Sequence, residues 1–423
     1  MECEKMVCAI VGGGVAGIQA SLTCRAQWPD KPVILIDAEQ EIGYYRSLLP
    51  QFMVGKLEEE KLFFWHQEKD PLLTVRKGMR VKSLNRTTQS LTLEDGERIE
   101  YERLILSHGG SADMPLVLSE QSCKGIFSVR DLTTARKIRK WISGHPDIVV
   151  LGGSLVGVKT AVHLRQAGMK VSLVVKRNHT LLRALSPRAA QLVDDHLLRM
   201  GIDLLFGHTI EKIRIKKGAI SAVQVGTKWL VCNTLLVATG ATPDVRFLEG
   251  SGLLEQGELI ASSTLQTSDP KIFVAGDAAT ISMKAAHRIN PGTWPQAVSQ
   301  GKWSAQNLFQ PVPASLKILT WVNCMDLHGL SFVILGPPVT GAEVLSYIRS
   351  SEGVLRELFV VDGCIVGGAL IGDISGAGPL HAMMIANKKI DLMPEGLVYP
   401  HGRALFRFSN SLEQNRQAYI LSS

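Results

Sequence analysis

Three glycines and one acid carry the clearest chemical signal in the chain. Gly12, Gly14 and Gly17 follow the apolar run Val7-Cys8-Ala9-Ile10-Val11 at G-x-G-x-x-G spacing. Asp37 closes a second apolar run, Val33 to Ile36, 20 residues beyond Gly17. This pattern suits the diphosphate and ribose of a dinucleotide. Gly12 permits a tight turn, Gly14 lets backbone come close to a pyrophosphate, and Gly17 lets the next helix pack on its strand. Val15 and Ala16 open that helix, whose unpaired N–H groups and positive dipole end attract phosphate. Asp37 can accept from a ribose hydroxyl, with Glu39 a weaker candidate. A glycine-rich turn that binds nothing would explain the glycines, but not the strand, helix and spaced acid together.

A second constellation starts 140 positions after the first (152 − 12). Gly152-Gly153-Ser154-Leu155-Val156-Gly157 follows the strand-like Asp147–Leu151, and a helix pattern runs on through Ala161 and Leu164. Ser154 replaces the middle glycine, at some loss of closeness to a phosphate. Val175 holds the acid position, and Lys176 and Arg177 follow, with Arg183 close in sequence. An acid there accepts from a free 2′-hydroxyl, whereas bases suit a 2′-phosphate. The competing reading is a solvated basic turn. A third signal is Gly276-Asp277, at the end of the strand-like Ile272–Ala275. An Asp at the C-terminal end of a strand, beside a glycine, can hold a ribityl hydroxyl near a cofactor crevice.

The elements that must position these residues follow from the chain order. Both glycine turns lie between an apolar strand and a helix, so the expected class is α/β, with two doubly wound dinucleotide-binding units and one nucleotide-binding unit used twice. The segment EIGYYRSLLPQFMVGK, after Asp37, carries aromatics and Arg46 where a long cofactor would lie. Asp95-Gly96 marks a hairpin, Leu104-Ile105-Leu106 a buried strand, and Leu132 to Ile142 a helix. Leu235-Leu236-Val237-Ala238-Thr239-Gly240 parallels the earlier strand and its Ser107-His108-Gly109-Gly110 turn. Trp294-Pro295 leads into a helix from Ala297. From about Ala314 the character changes. Two apolar runs across Asp362-Gly363 read as a hairpin in a separate antiparallel α+β domain. The resulting division is 1–112 and 242–312 for the first nucleotide-binding domain, 113–241 for the second, and 313–423 for a C-terminal α+β interface domain.

Composition narrows the class. The 423 residues are 45% hydrophobic and 20% charged, enough for two or three domains with large cores. The N-terminus has no basic leader and no apolar stretch reaches membrane-spanning length, so a soluble cytoplasmic protein is expected. The net charge of +7 comes from scattered Lys and Arg without an aromatic-interleaved basic run, which disfavours nucleic acid. A basic surface either draws an acidic protein partner or only aids solubility. Seven cysteines, Cys3, Cys8, Cys24, Cys123, Cys232, Cys324 and Cys364, form no C-x-x-C pair, so no metal or iron–sulfur site is expected within the chain. Cys8 reads as a small buried hydrophobe. An odd, scattered count suits a reducing compartment.

In order and spacing, VGGGVAG, LEDGERIEYERLILSHGG, VVLGGSLVGVKTA, LLVATGATPD and IFVAGDAAT resemble the FAD-dependent pyridine nucleotide oxidoreductases, the two-dinucleotide-domain flavoproteins. The C-terminal part is similar to NADH:rubredoxin reductases, the N-terminal half of nitrite reductase large subunits and FAD subunits of multi-subunit anaerobic dehydrogenases. The resemblance implies that Gly12, Gly14, Val15, Ala16, Gly17, Asp37, Arg46, Ser107, His108 and Gly109 hold FAD. It places Gly276 and Asp277 at the ribityl–phosphate region and Trp294 beside the isoalloxazine. It implies that Gly152, Ser154, Leu155, Val156, Lys176, Arg177, Arg183, Thr239 and Gly240 hold NAD(P)H.

The departures matter as much. The disulfide reductases of this family carry C-x4-C in the loop after the ribose acid, where this chain reads YYRSLLPQF with no cysteine. The family's late His-Pro pair is absent, Tyr399-Pro400-His401-Gly402 being the reverse order. His108 stands where Thr is usual. Lys159 stands where Glu commonly lies beside the nicotinamide, and is either a cation that tunes the flavin or a helix-surface lysine. The implied function is an FAD-dependent NAD(P)H:acceptor oxidoreductase that exchanges electrons with an external iron–sulfur protein or subunit without an internal dithiol. It would act as a free reductase or as the FAD/NAD(P)-binding subunit of a larger dehydrogenase. The alternatives are an NAD(P)H oxidase using oxygen or a small acceptor, and a non-catalytic flavoprotein scaffold.

Coenzyme choice gives the first test. One or two charge-assisted bonds from Lys176 and Arg177 to a 2′-phosphate predict a preference for NADPH of about 1–3 kcal/mol, roughly five- to 150-fold in affinity. The measurement is kcat/KM for both coenzymes in wild type and in a Lys176→Ala, Arg177→Ala variant. A wild type that prefers NADH, or a ratio the variant leaves unchanged, overturns the phosphate clamp.

Overall fold

In a computed structural model of the chain, residues 7–67, 69–119, 123–278, 280–282, 288–289, 292–316, 322–390 and 398 are described. Cys3 and the Tyr399-Pro400-His401-Gly402 segment lie outside the described residues. The chain divides into two compact units, Met1–Lys176 with Ile202–Leu319, and Arg177–Gly201 with Thr320–Ser423.

The first unit holds both predicted nucleotide folds. One parallel sheet has the strand order Ile272–Val274, Arg103–Leu106, Cys8–Val11, Val33–Asp37, Leu73–Lys77. Cys8 lies opposite Val33 on one side and Arg103 on the other, so Cys8–Val11 is central. A central parallel strand is buried on both faces and therefore needs an unbroken apolar run. Ala9 and Val11 enter one core cluster, and Cys8 and Ile10 the other. Parallel neighbours require a crossover, which the helix Val15–Gln27 supplies.

The second parallel sheet repeats the plan with the order Asp203–Phe206, Lys170–Val175, Asp147–Leu151, Thr234–Val237, Ile126–Ser128. Its crossover helix is Leu155–Gln166, capped by the Ser154 hydroxyl, which accepts from Gly157 N. The helix Leu132–Ile142 has the bounds its pattern predicts, with Asp131 as N-cap accepting from Thr134 N. Ser111–Ala112 pairs antiparallel with Ala241–Thr242, where the chain leaves the first fold and returns to it.

Several element ends differ from the sequence reading: the first strand begins at Cys8 rather than Val7, and the strand at Leu104 begins at Arg103. The helix expected from Ala297 begins at Trp294, because Pro295 sits in its first turn, where no N–H partner is needed. The strand expected to end at Ala275 ends at Val274.

The second unit is built on a five-stranded antiparallel sheet, Asn323–Asp326, Ser331–Gly336, Cys364–Ile371, Val354–Val361, Glu343–Arg349. Asp362 and Gly363 turn the predicted hairpin with φ of 50° and 76°, the conformation a two-residue turn requires. The helix Ala377–Ile385 buries Leu380 in a cluster with Leu335, Leu358 and Leu370. The helix Pro187–Arg199 groups with this unit, and its His196 Nε2 lies 2.7 Å from Leu327 O. The α/β class with an added α+β domain thus stands.

Helix Val15–Gln27 crosses helix Trp294–Asn307 closely. A Cβ at Gly301 would lie 2.1 Å from Ala16 O, a backbone atom that cannot swing aside. Gly301→Ala is expected to cost about 1–3 kcal/mol through overpacking. A thermal melt reads this as a lower Tm, and an unchanged Tm would show that the crossing has room to spare.

Candidate dinucleotide sites

The three glycines of the first turn stand in three different environments. Gly12 has φ of 107°, and a Cβ there would lie 2.2 Å from Ser107 O. A Cβ at Gly17 would lie 1.8 Å from Gly12 O, so helix and turn touch through backbone. At Gly14, the N-cap, a Cβ would meet nothing within 4 Å. That side of the turn is open beside the helix N-terminus, where Val15 is partly and Ala16 fully buried. An open backbone approach at a helix start fits a pyrophosphate.

Asp37 does more than wait for a ribose. Its carboxylate accepts from Gly13 N and, at 2.6 Å, from Glu39 N, so it ties the first turn to the end of the second strand. Burial raises its pKa, against the two backbone donors. Glu39 is engaged elsewhere, accepting from Arg46 at 2.5 Å and from the Tyr44 hydroxyl at 2.6 Å. Arg46 also donates to Tyr44 Oη at 2.7 Å and to Arg130 O at 3.0 Å. The predicted Arg46 is therefore held in a network that shapes the loop.

The turn Ser107-His108-Gly109 lies against Gly12. The buried Ser107 hydroxyl donates to Val11 O and Gly12 O at 3.0 and 3.1 Å. His108 packs edge-on to Phe247 at 5.0 Å between ring centroids, and among the described residues neither of its ring nitrogens has a hydrogen-bond partner. Burial lowers its pKa to about 4, against the pull of Asp244. Gly109 has φ of 66°. Gly276 N donates to the buried Gln300 Oε1 at 2.7 Å. Asp277 lies 3.6 Å from an Arg130 nitrogen, and Arg130 Nε donates to Gly110 O at 3.0 Å. Arg130 and Gln300 went unread in the sequence, since a lone Arg before a helix and a lone Gln within one have no motif of their own. Trp294 meets Tyr45 and Phe64 at 4.8 and 5.0 Å between centroids, and the latter two lie 5.1 Å apart.

In the second turn, Gly152 has φ of 120° and a Cβ at Gly157 would lie 1.9 Å from Gly152 O, nearly duplicating the first. Ser154 Oγ donates to Ala238 O at 3.0 Å, which turns the hydroxyl inward. Leu155 is partly buried and Val156 is exposed. Thr239 Oγ1 donates to Asp113 O, and Gly240 has φ of 134°. Lys176, Arg177 and Arg183 are each exposed. Lys159 reaches from the crossover helix to donate to Ser47 O at 3.0 Å, and burial lowers its pKa.

Among the described residues all six cysteines are free thiols. Cys8 and Cys24, both buried, bring their sulfurs to 3.8 Å, linking strand and helix within the first core. Among the described residues no group of three or more His, Cys, Asp or Glu is placed to hold a metal. No helix there is long and apolar enough to cross a membrane.

A family model described as pyridine nucleotide-disulphide oxidoreductase matches residues 6–301. An NADH oxidase of Methanocaldococcus jannaschii is 25% identical over 409 residues, covering 89% of this chain and 90% of its own. The epsilon subunit of an NADH-dependent phenylglyoxylate dehydrogenase of Aromatoleum evansii is 23% identical over 395 residues, covering 91% and 92%. In fold the chain is similar to a ferredoxin reductase from Rhodopseudomonas palustris, with a TM-score of 0.86 at 21% identity over 94% of this chain and 98% of that one.

His108 makes the first fold sensitive to acid. Its pKa falls from 6.5 unfolded to about 4 folded, so the folded state resists the proton that the unfolded state takes up. The stability is whole above pH 6.5 and is lost as pH falls toward 4. At 1.36 kcal/mol per unit the loss comes to roughly 3 kcal/mol. Urea unfolding of wild type and His108→Asn across this range should show their difference shifting toward the variant as pH falls. A difference independent of pH would mean that the imidazole is not held neutral.

Proposed function

The chain belongs to the pyridine nucleotide-disulphide oxidoreductase family, and we propose that it passes electrons between NAD(P)H and an external iron–sulfur protein or subunit by way of FAD. It is a flavoprotein oxidoreductase that uses FAD and NAD(P)H. The acceptor is our reading, supported by relatives that are a ferredoxin reductase and a dehydrogenase subunit. When bound, FAD supplies the exchange between paired and single electrons.

The observation that carries the reading is the open backbone at Gly14, flanked by two positions where only glycine fits. In this reading Gly12 and Gly17 fix the turn, while Gly14, Val15 and Ala16 present N–H groups to the FAD diphosphate. Asp37 holds turn and ribose together, and Arg46 braces the loop. Ser107, His108 and Gly109 back the turn. Gly276 and Asp277, with Arg130 as ion partner, hold the ribityl–phosphate region. Tyr45, Phe64 and Trp294 present an apolar wall that keeps water from a stacked ring. Gly152, Ser154, Leu155, Val156, Thr239 and Gly240 form the nicotinamide dinucleotide site, with Lys176, Arg177 and Arg183 selecting the 2′-phosphate. Lys159 ties that site's crossover helix to the FAD loop at Ser47. The bounds 1–112, 113–241, 242–312 and 313–423 belong to the same reading, as does a location in the cytoplasm. No cysteine stands in residues 44–52, so the path out requires no thiol.

The purified protein should be yellow, with one FAD per chain, and should reduce a viologen dye with NAD(P)H much faster than oxygen. Gly14→Val should empty the site, because a branched side chain enters the space the diphosphate needs. A colourless protein that FAD cannot reconstitute overturns the reading. Oxygen consumption at the viologen rate would replace it with the oxidase.

A further inference from the structure

The first unit carries a small antiparallel sheet, Lys212–Lys216, Ala219–Val225 and Lys228–Val231, that no step of the proposed reaction uses. Its two faces differ sharply. Ile213, Val223 and Leu230 lie in register across the three strands and turn into the core with Ile220 and Val225. Side chains alternate along a strand, so the neighbouring register positions turn outward. Lys212, Gln224 and Trp229 form one outward row, and Arg214, Ala222 and Val231 the next, with the small Ala222 covered by its neighbours at 5% exposure. Lys216, two residues beyond Arg214, continues the line of cations.

Four features of this face are unusual together. Lys212, Arg214 and Lys216 are all exposed, and among the described residues none forms an ion pair. None of the outward positions holds an acid. Val231, the last residue of the edge strand, is 80% exposed. The Arg214 guanidinium lies 3.8 Å from the centre of the Trp229 ring. Stacking fixes the plane of the guanidinium and leaves its edge N–H groups free for a carboxylate fork. Arg and Trp are the types that dominate binding energy at interfaces, and a cationic rim sets the sign of the partner.

We propose that the outward face of the sheet formed by residues 212–216, 219–225 and 228–231 docks a partner protein through a carboxylate-rich surface. Charge complementarity decides for an acidic protein: three cations without an ion pair among the described residues, one of them an oriented fork, lie on one face with the exposed Val231. Single-stranded nucleic acid fits less well, because Arg214 already covers the face of Trp229 that a base would stack on. The surface is independent of the electron-transfer reading, since it includes no residue assigned to either nucleotide.

The full FAD-loaded chain tests this with a labelled poly-L-glutamate peptide as the probe, followed by anisotropy at about 0.15 M salt, where the Debye length is roughly 8 Å and diffuse attraction is screened. Lys212→Glu, Arg214→Glu, Lys216→Glu together should weaken binding about tenfold or more. The same charge change at exposed sites elsewhere, Lys61→Glu, Lys69→Glu, Lys140→Glu, should weaken it at most about twofold. Trp229→Ala, which alters no charge, should weaken it about threefold by freeing the Arg214 fork. Viologen turnover unchanged in the triple variant shows that the fold is intact; should that variant not fold, Arg214→Gln alone gives the same comparison. Equal losses in both triples mean that the peptide reads net charge only, and overturn the proposal. Tighter binding of oligo(dT), lost in the same triple, overturns it in favour of nucleic acid. A dimer in sedimentation equilibrium that the triple abolishes overturns it in favour of a second copy.

Discussion

Backbone touching backbone is the constraint on which the first nucleotide fold rests. Helix Val15–Gln27 can start where it does only because Gly17 lets it sit on the carbonyl of Gly12. The same helix is pressed from its other side by Gly301 of the helix Trp294–Asn307. Between these contacts there is no room for side-chain adjustment. The helix start, and whatever its N–H groups hold, is therefore positioned by atoms with almost no freedom, and binding needs little further ordering.

Around that fixed point the polar groups are arranged as braces. Asp37 reaches Gly13 and Glu39, Glu39 reaches Arg46 and Tyr44, and Arg46 reaches Arg130 O. Arg130 in turn meets Asp277 and Gly110 O. A chain of charge-assisted bonds thus runs from the first turn to the strand end at Val274. Partial burial makes each bond worth more than an exposed pair would be.

Much of this was legible in the sequence where local chemistry is self-contained. A central strand must be an apolar run, a close turn must be glycine, and a helix shows its period, so the strands around Gly12 and Gly152 and the helix Leu132–Ile142 could be placed directly. The Lys159 contact with Ser47 O, the Gln300 bond to Gly276 N and the seat of Arg130 could not, because each joins residues far apart in the chain. The small size of Ser154 is legible in the sequence, but its hydroxyl's bonds to Ala238 O and from Gly157 N are not. The contact of His196 with Leu327 O likewise joins residues far apart in the chain and leaves no sign in the sequence.

Within each glycine turn the positions are under different constraints. At the outer positions a side chain would strike the protein's own backbone in both copies, at 1.8 and 1.9 Å for Gly17 and Gly157. At the middle position of the first copy a side chain would strike nothing of the protein. The outer glycines are therefore held by the fold itself and would persist in a descendant that had ceased to bind any nucleotide. The middle residue of the first copy is thus left open by the fold, whereas in the second copy Ser154 serves the fold itself, capping the helix and bonding Ala238 O. Position 14 is therefore where a side chain could close off a nucleotide while leaving the turn and its helix undisturbed.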